Sequence, residues 1–138
     1  MHTARARFAA VVPALGIALL GGACGGSSTS PSDGGSAVTP VTGPIAATVT
    51  IRAGAVSPKS VTVPVGSSVM FVNGDSKQYD ITSDPHPTHS DCPPINIVGT
   101  LEAGQSRATS AMTTARSCGY HDHNDSSNTA MQGTIVVQ

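Results

Sequence analysis

Four of the five histidines and two of the three cysteines of this chain fall in two short stretches, Asp84-Pro85-His86-Pro87-Thr88-His89-Ser90-Asp91-Cys92 and Cys118-Gly119-Tyr120-His121-Asp122-His123. Those side chains are metal ligands by type. In an extended segment the side chains alternate, so His121 and His123 face the same way and two imidazoles could grip one ion. Pro85 and Pro87 restrict the backbone on either side of His86, which lowers the entropic cost of holding ligands on a loop. Thiolate, imidazole and thioether together suit copper, whereas several imidazoles without a thiolate suit copper(II) or zinc. Taken singly, each stretch is also what a polar surface loop with solvated histidines looks like; two such stretches, each with a cysteine, point to a site.

Such groups need a stiff frame, and the composition favours strands. Aromatic residues make up only 3% of the chain and Trp is absent, while Val, Thr, Ser, Gly and Pro are abundant, a mixture suited to short strands and turns. Ala47 to Arg52 alternates in polarity, Ser60 to Val65 reads Ser-Val-Thr-Val-Pro-Val, and Ser68 to Val72 runs into the turn Asn73-Gly74-Asp75. Pro64 marks an edge strand or a bulge, because proline cannot donate to a ladder. Tyr79 to Thr82, Ile97 to Leu101, Ser106 to Met112, Arg116 to His121 and Thr134 to Val137 supply further strands. Roughly seven or eight strands over about 95 residues favour a two-sheet sandwich. No helical periodicity competes with it.

The N-terminus reads as an address. Arg5 and Arg7 precede an apolar run from Phe8 to Leu20 that breaks into Gly21-Gly22-Ala23-Cys24, the layout of a secretory signal. The run of about 13 residues is short of the ~20 that a spanning helix needs, and Pro13 interrupts it. From Gly25 to Pro44 the chain is dominated by Gly, Ser, Thr and Pro, a flexible tether with a span of roughly 25 Å. The expected organisation is a signal over residues 1–23, Cys24 plus linker over 24–44, and one folded domain over 45–138. Leu20-Gly21-Gly22-Ala23-Cys24 resembles the lipobox of bacterial lipoproteins, which implies that Cys24 is acylated and becomes the first mature residue. More than one acyl chain is what stable anchoring requires. The expectation is therefore an exported cell-envelope protein on the periplasmic or extracellular face, held to the membrane by lipid alone. Cys92 and Cys118 then remain as an even pair in an oxidising compartment, which predicts a disulfide.

Read in order, Val61-Thr62-Val63-Pro64-Val65-Gly66, Val69-Met70-Phe71-Val72-Asn73-Gly74-Asp75, Leu101-Glu102-Ala103-Gly104, Cys118-Gly119-Tyr120-His121 and Met131-Gln132-Gly133-Thr134-Ile135 resemble the cupredoxins, the blue-copper family of plastocyanin and azurin. The resemblance spans nearly the whole domain and implies an all-β, Greek-key β-sandwich that carries copper at one end for one-electron transfer. It gives Cys118 the thiolate position, His121 or His123 the following imidazole, and Met131 the weak axial thioether, around a trigonal His₂Cys plane. Tyr79 stands where the family's first histidine is expected, so His86 or His89 would have to replace it.

Three functions follow. In one, Cys118 is a free thiolate and the protein is a copper electron carrier with a redox partner protein. In another, Cys92 and Cys118 form a disulfide, and His86, His89, His121 and His123 make a non-blue copper or zinc site for metal binding or delivery. In the third the domain is structural and holds no metal. No Gly-x-Ser-x-Gly elbow, P-loop or His-Glu-x-x-His pattern is present, so an enzyme is not expected. The net charge of −1, from 7 Lys+Arg against 8 Asp+Glu, offers no basic field for nucleic acid. A monomer is expected.

Overall fold

The computed structural model describes residues 42–138; the expected signal, the Cys24 anchor and most of the linker lie outside the described residues. The described residues form nine strands, most of them rich in β-branched residues: β1 (Ile45–Arg52), β2 (Ala55–Ser57), β3 (Ser60–Val63), β4 (Ser68–Asn73), β5 (Tyr79–Ser83), β6 (Gly99–Leu101), β7 (Ser106–Ala108), β8 (Arg116–Asp122) and β9 (Gly133–Val137). They form two sheets, ordered β2-β1-β4-β7 and β3-β9-β8-β5-β6. β1 lies parallel to β4 and β3 parallel to β9, with antiparallel pairing elsewhere. The chain crosses repeatedly from one sheet to the other, as in a Greek-key sandwich.

The inner faces are apolar. Val49, Ile51, Val69 and Phe71 of one sheet meet Tyr79, Ile81, Tyr120 and Ile135 of the other, all buried. The Phe71 and Tyr120 rings meet edge to face across the core, 5.0 Å between centroids, the arrangement the ring quadrupoles favour. Gly133 must be glycine, because a Cβ there would overlap the Tyr120 hydroxyl.

Pro64 ends β3, and β3 is an edge strand, as its missing N–H requires. Elsewhere the segment bounds differ from those read in the sequence. Pro93 and Pro94 open a 3-10 turn over Pro93–Ile97, where their fixed φ fits, so β6 begins only at Gly99. β7 ends at Ala108, and the following backbone bonds irregularly to Val69 and Pro94. β2 was not legible as a strand. It is a short hairpin return made possible by Ala53 (φ +51°) and Gly54 (φ +71°), both in the left-handed region.

That hairpin is tied to the turn after β4. Asp75 accepts the N–H groups of Ala53 (2.7 Å) and Gly54 (2.9 Å) and the hydroxyl of Tyr79 (2.6 Å). The Tyr79 hydroxyl first, and then these amides, hold the Asp75 carboxyl below its ordinary range. Buried Asn73 completes the corner, donating to the carbonyls of Lys77, Leu101 and Glu102 and accepting from Asp75 N–H. Every polar atom of its amide group thereby has a partner.

Phe71 is fully buried and bridges the two sheets. Phe71→Ala is expected to lower the unfolding free energy by about 3–5 kcal/mol, measured by urea denaturation; a loss under about 1 kcal/mol would show that the sheets do not pack through this ring.

Candidate metal centre

The site rests on how β5 and β8 pair. They run antiparallel with Thr82 opposite His121 and Ser83 opposite Tyr120. Since Tyr120 faces the core, alternation puts Cys118 and Asp122 on the inner face of this sheet with it, and Gly119 and His121 on the outer face. The chain leaving β5 at Asp84 folds back over that outer face. It carries His86 and His89, then enters the turn at Cys92.

Four imidazoles meet there. Ring centroids are 5.4 Å apart for His86 and His89, 5.1 Å for His86 and His123, 4.9 Å for His89 and His123, 5.1 Å for His89 and His121, and 5.6 Å for His86 and His121. One ring nitrogen from each of His86, His89 and His123 lies within 4.8 Å of the other two. His86 and His123 are exposed, His89 is half-buried, and His121 is buried. The centre is open to solvent on one side and walled by the sheet on the other.

The hydrogen bonds define which nitrogens are free. His89 Nδ1 lies 2.8 Å from the Ser83 carbonyl, an oxygen that can only accept, so Nδ1 carries the proton and Nε2 the lone pair. That Nε2 is 2.9 Å from His123 Nδ1, so a single proton lies between the two rings. Two nitrogens bound to one ion at ~2.0 Å and at right angles would sit about 2.8 Å apart. The pair is thus already at ligand spacing, with a proton where an ion would go.

His89 is fixed by its backbone. Its φ is +49°, a conformation that costs free energy in a non-glycine residue and persists only when neighbours over-determine it. Here they do. Its N–H donates to the Pro85 carbonyl (2.8 Å), and its carbonyl accepts from Ser83 Oγ (3.0 Å) and Asn96 Nδ2 (2.8 Å). Asn96 Oδ1 accepts the Ser83 N–H (2.8 Å), so one amide clamps both the end of β5 and the ligand loop. Burial first, and then the neighbouring His123, His89 and His121, hold the His86 imidazole below its ordinary value of 6.5. A lowered value keeps the ring neutral, the form that binds metal.

Cys92 and Cys118 are joined in a disulfide, with Cα atoms 5.8 Å apart. Cys118 therefore has no thiolate to offer. Its pairing with His121 around one ion fails for a second reason: β8 continues as strand through His121 to Asp122, and an odd spacing of three puts the two side chains on opposite faces. Met131 is fully buried in the apolar core, on a turn over Thr129–Met131 that packs against β2 and β8. Tyr79, in the place of the expected first histidine, bonds to Asp75 instead, and burial pushes its phenol up. Ser83, Asp84 and Asn96 were not singled out in the sequence as supports. Asp84 opens the histidine stretch, but nothing marks Asn96, because its role depends on the path of the turn.

No protein-family model matches the chain, and no curated protein matches it. Solved structures do. The fold is similar to a reduced amicyanin mutant (TM-score 0.53, 19% identity, 70% of this chain and 83% of that one) and to a copper(I) form of another amicyanin mutant (TM-score 0.52, 18% identity, 67% and 82%). It is also similar to oxidized plastocyanin from Dryopteris crassirhizoma (TM-score 0.52, 18% identity, 66% and 99%). The domain is a cupredoxin-like β-sandwich.

The disulfide closes a chain segment with a sequence separation of 26 and pins the loop of His86 and His89 to the strand of His121. Replacing both cysteines by Ser is expected to lower the unfolding free energy by about 3 kcal/mol, read by urea denaturation. Equal stability with and without the bond would mean that the loop is held by its hydrogen bonds alone.

Proposed function

We propose that this chain is an exported copper-binding protein that holds the ion through the imidazoles of His86, His89 and His123 and serves to bind and deliver it. The observation that carries the reading is the convergence of three imidazole nitrogens within 4.8 Å beside a disulfide that takes up both sulfurs of the two stretches. Imidazoles without thiolate suit copper(II) and zinc, and copper(II) binds more tightly at a given nitrogen site. Copper is also named for a structure of the same fold, the copper(I) amicyanin mutant. His86 and His123 are exposed, which suits an ion that must be passed on. The role is carriage of the ion, not catalysis, and the partner is a protein or ligand that takes or supplies copper.

The electron-carrier reading keeps the support of the fold but needs Cys118 reduced, and one titration separates the two. Copper(II) added to the purified protein is expected to bind at one equivalent without the intense visible absorption of a copper–thiolate bond. His89→Ala and His123→Ala should each weaken binding by more than tenfold. An intense band that vanishes in Cys118→Ser would establish the electron carrier, and unchanged affinity in both histidine variants would remove the proposed site.

Acid should release the ion, because protons compete for the same lone pairs. His86 takes its proton below 6.5 in the folded protein but at its ordinary value when unfolded. The unfolded chain therefore binds the proton first, and the metal-free domain loses stability as pH falls below about 6.5. Thermal midpoints measured between pH 8 and 5 should fall toward acid; a flat profile would mean that the imidazoles do not crowd one another.

The tether completes the reading. The signal-like run before Cys24 and its lipobox-like approach support lipid anchoring, with the linker letting the domain reach away from the membrane. Cys24→Ser is expected to move the protein from the membrane fraction to the soluble one, and retention of the variant in membranes would refute the anchor.

A further inference from the structure

The end of the sandwich at which the chain enters carries a cavity that the metal centre does not use. β1 runs parallel to β4, so the residues before Ile45 lie at the start of β4. There the Pro44 carbonyl accepts the Ser68 N–H (2.9 Å), and the Gly43 N–H donates to Ser68 Oγ (2.9 Å). Gly43 passes so close to Gly66 that a Cβ would overlap the Gly66 carbonyl. The segment after β7 borders the same corner from the other side: the Gly66 N–H donates to the Met112 carbonyl (2.8 Å), and the Met112 N–H to the Ser67 carbonyl (2.8 Å). Two strand spacings, roughly 10 Å, therefore separate the entering chain from Met112.

Met112 is also a wall of the cavity. With Pro93, Pro94 and the Cys92–Cys118 disulfide it forms a mostly apolar floor under a space of about 190 Å³, room for about six waters. Asp91 and Arg116 line it too, but both are exposed and keep their charges in water. Apolar side chains displace water from such a floor favourably.

The sequence supplies those side chains next to the cavity. From Gly25 to Ser36 every residue is Gly, Ser, Thr, Pro or Asp, and apolar side chains return with Ala37-Val38-Thr39-Pro40-Val41. Proline fixes its own φ near the polyproline value and biases the residue before it the same way. At three residues per turn that conformation puts positions 38 and 41 on one face. Five residues span up to ~17 Å, more than the distance to Met112. Being part of the chain, the segment meets the cavity at an effective concentration in the millimolar range, which a free partner would have to match.

We propose that Ala37–Val41, which lies outside the described residues, docks in this cavity with Val38 and Val41 against Met112, Pro93 and Pro94. The segment covers the foot of the loop that carries His86 and His89. The free tether shortens to residues 25–36, a span of about 19 Å. None of this depends on what the imidazoles bind.

The test uses the full-length, metal-free protein in lipid nanodiscs, with Val and Met methyl groups labelled for nuclear magnetic resonance. Methyl contacts from Val38 and Val41 to Met112 are expected, with backbone order parameters at 37–41 near the ~0.85 of rigid structure and lower values before Ser36. Val38→Ser/Val41→Ser alters no residue of the two sheets, so the domain still folds. The double variant should shift the Met112 methyl resonance and bring 37–41 down to the order parameters of Gly34 and Gly35. Wild-type protein without Val–Met methyl contacts, or a Met112 methyl unmoved in the variant, would overturn the proposal. Contacts found only between separately labelled copies would overturn it too, in favour of a second molecule in the cavity. Copper binding stands or falls separately, because no metal is present in these measurements.

Discussion

A sulfur atom can be a metal-bound thiolate or half of a disulfide, and Cys118 is the second. The bond does two things at once. It withdraws both thiols that could make a copper–thiolate centre, and it fastens the loop of His86 and His89 beside the strand that carries His121. His89 precedes one cysteine by three residues and His121 follows the other by three, so the crosslink sits at equal distance along the chain from both imidazoles. A loop free to move would spend ordering entropy each time it gathered its imidazoles around an ion. Here much of that cost is already met when the domain folds.

Gathering the rings has its own cost. Desolvation and neighbouring imidazoles disfavour protonation of His86, so that ring is a poor place for a proton. That property is what a cation site needs, since each proton excluded is a competitor removed. The arrangement is held by groups outside the ring set. The Ser83 carbonyl fixes the tautomer of His89, and the Asn96 amide holds its backbone in a left-handed conformation. Strain at a single loop residue, sustained by a hydrogen-bonded surround, is the usual sign of a position selected for where its side chain must go.

The parts of this that the sequence disclosed are those governed by local rules. Alternation and turn residues located most strands, Pro64 marked the edge, and the clustering of His86, His89, His121 and His123 with two cysteines drew attention to the right segments. What stayed hidden depends on register. The strand read over Arg116 to His121 already sets Cys118 and His121 on opposite faces, but no residue there announces that β8 ends at Asp122 and leaves His123 to a 3-10 turn. The 3-10 turn at Pro93–Ile97 and the clamp from Asn96 follow from tertiary closure of the loop, which spacing along the chain does not encode. Met131 has a suitable position before Gly133, yet its side chain is core.

The same register explains why the centre lies on the outer face of the sheet. Three of the positions that the cupredoxin resemblance gives to copper ligands, those of Tyr79, Cys118 and Met131, lie on the inner side and are buried, and the polar groups beside them are already engaged. Tyr79 donates its hydroxyl to Asp75. Asp122, inward-facing like Cys118, accepts the N–H groups of Asp80 (3.0 Å) and Asn124 (3.3 Å). Met131 offers only a thioether, too weak to hold an ion alone. Buried polar groups that are satisfied in this way stabilise the fold, and recruiting them to a metal would leave amide or hydroxyl donors without partners at about 1–3 kcal/mol each. The outer face carries no such obligation. Its histidines arrive on the loop after β5 and at the end of β8, with His121 on the side of the sheet away from the core, so the sandwich keeps its inner packing whatever the cluster holds.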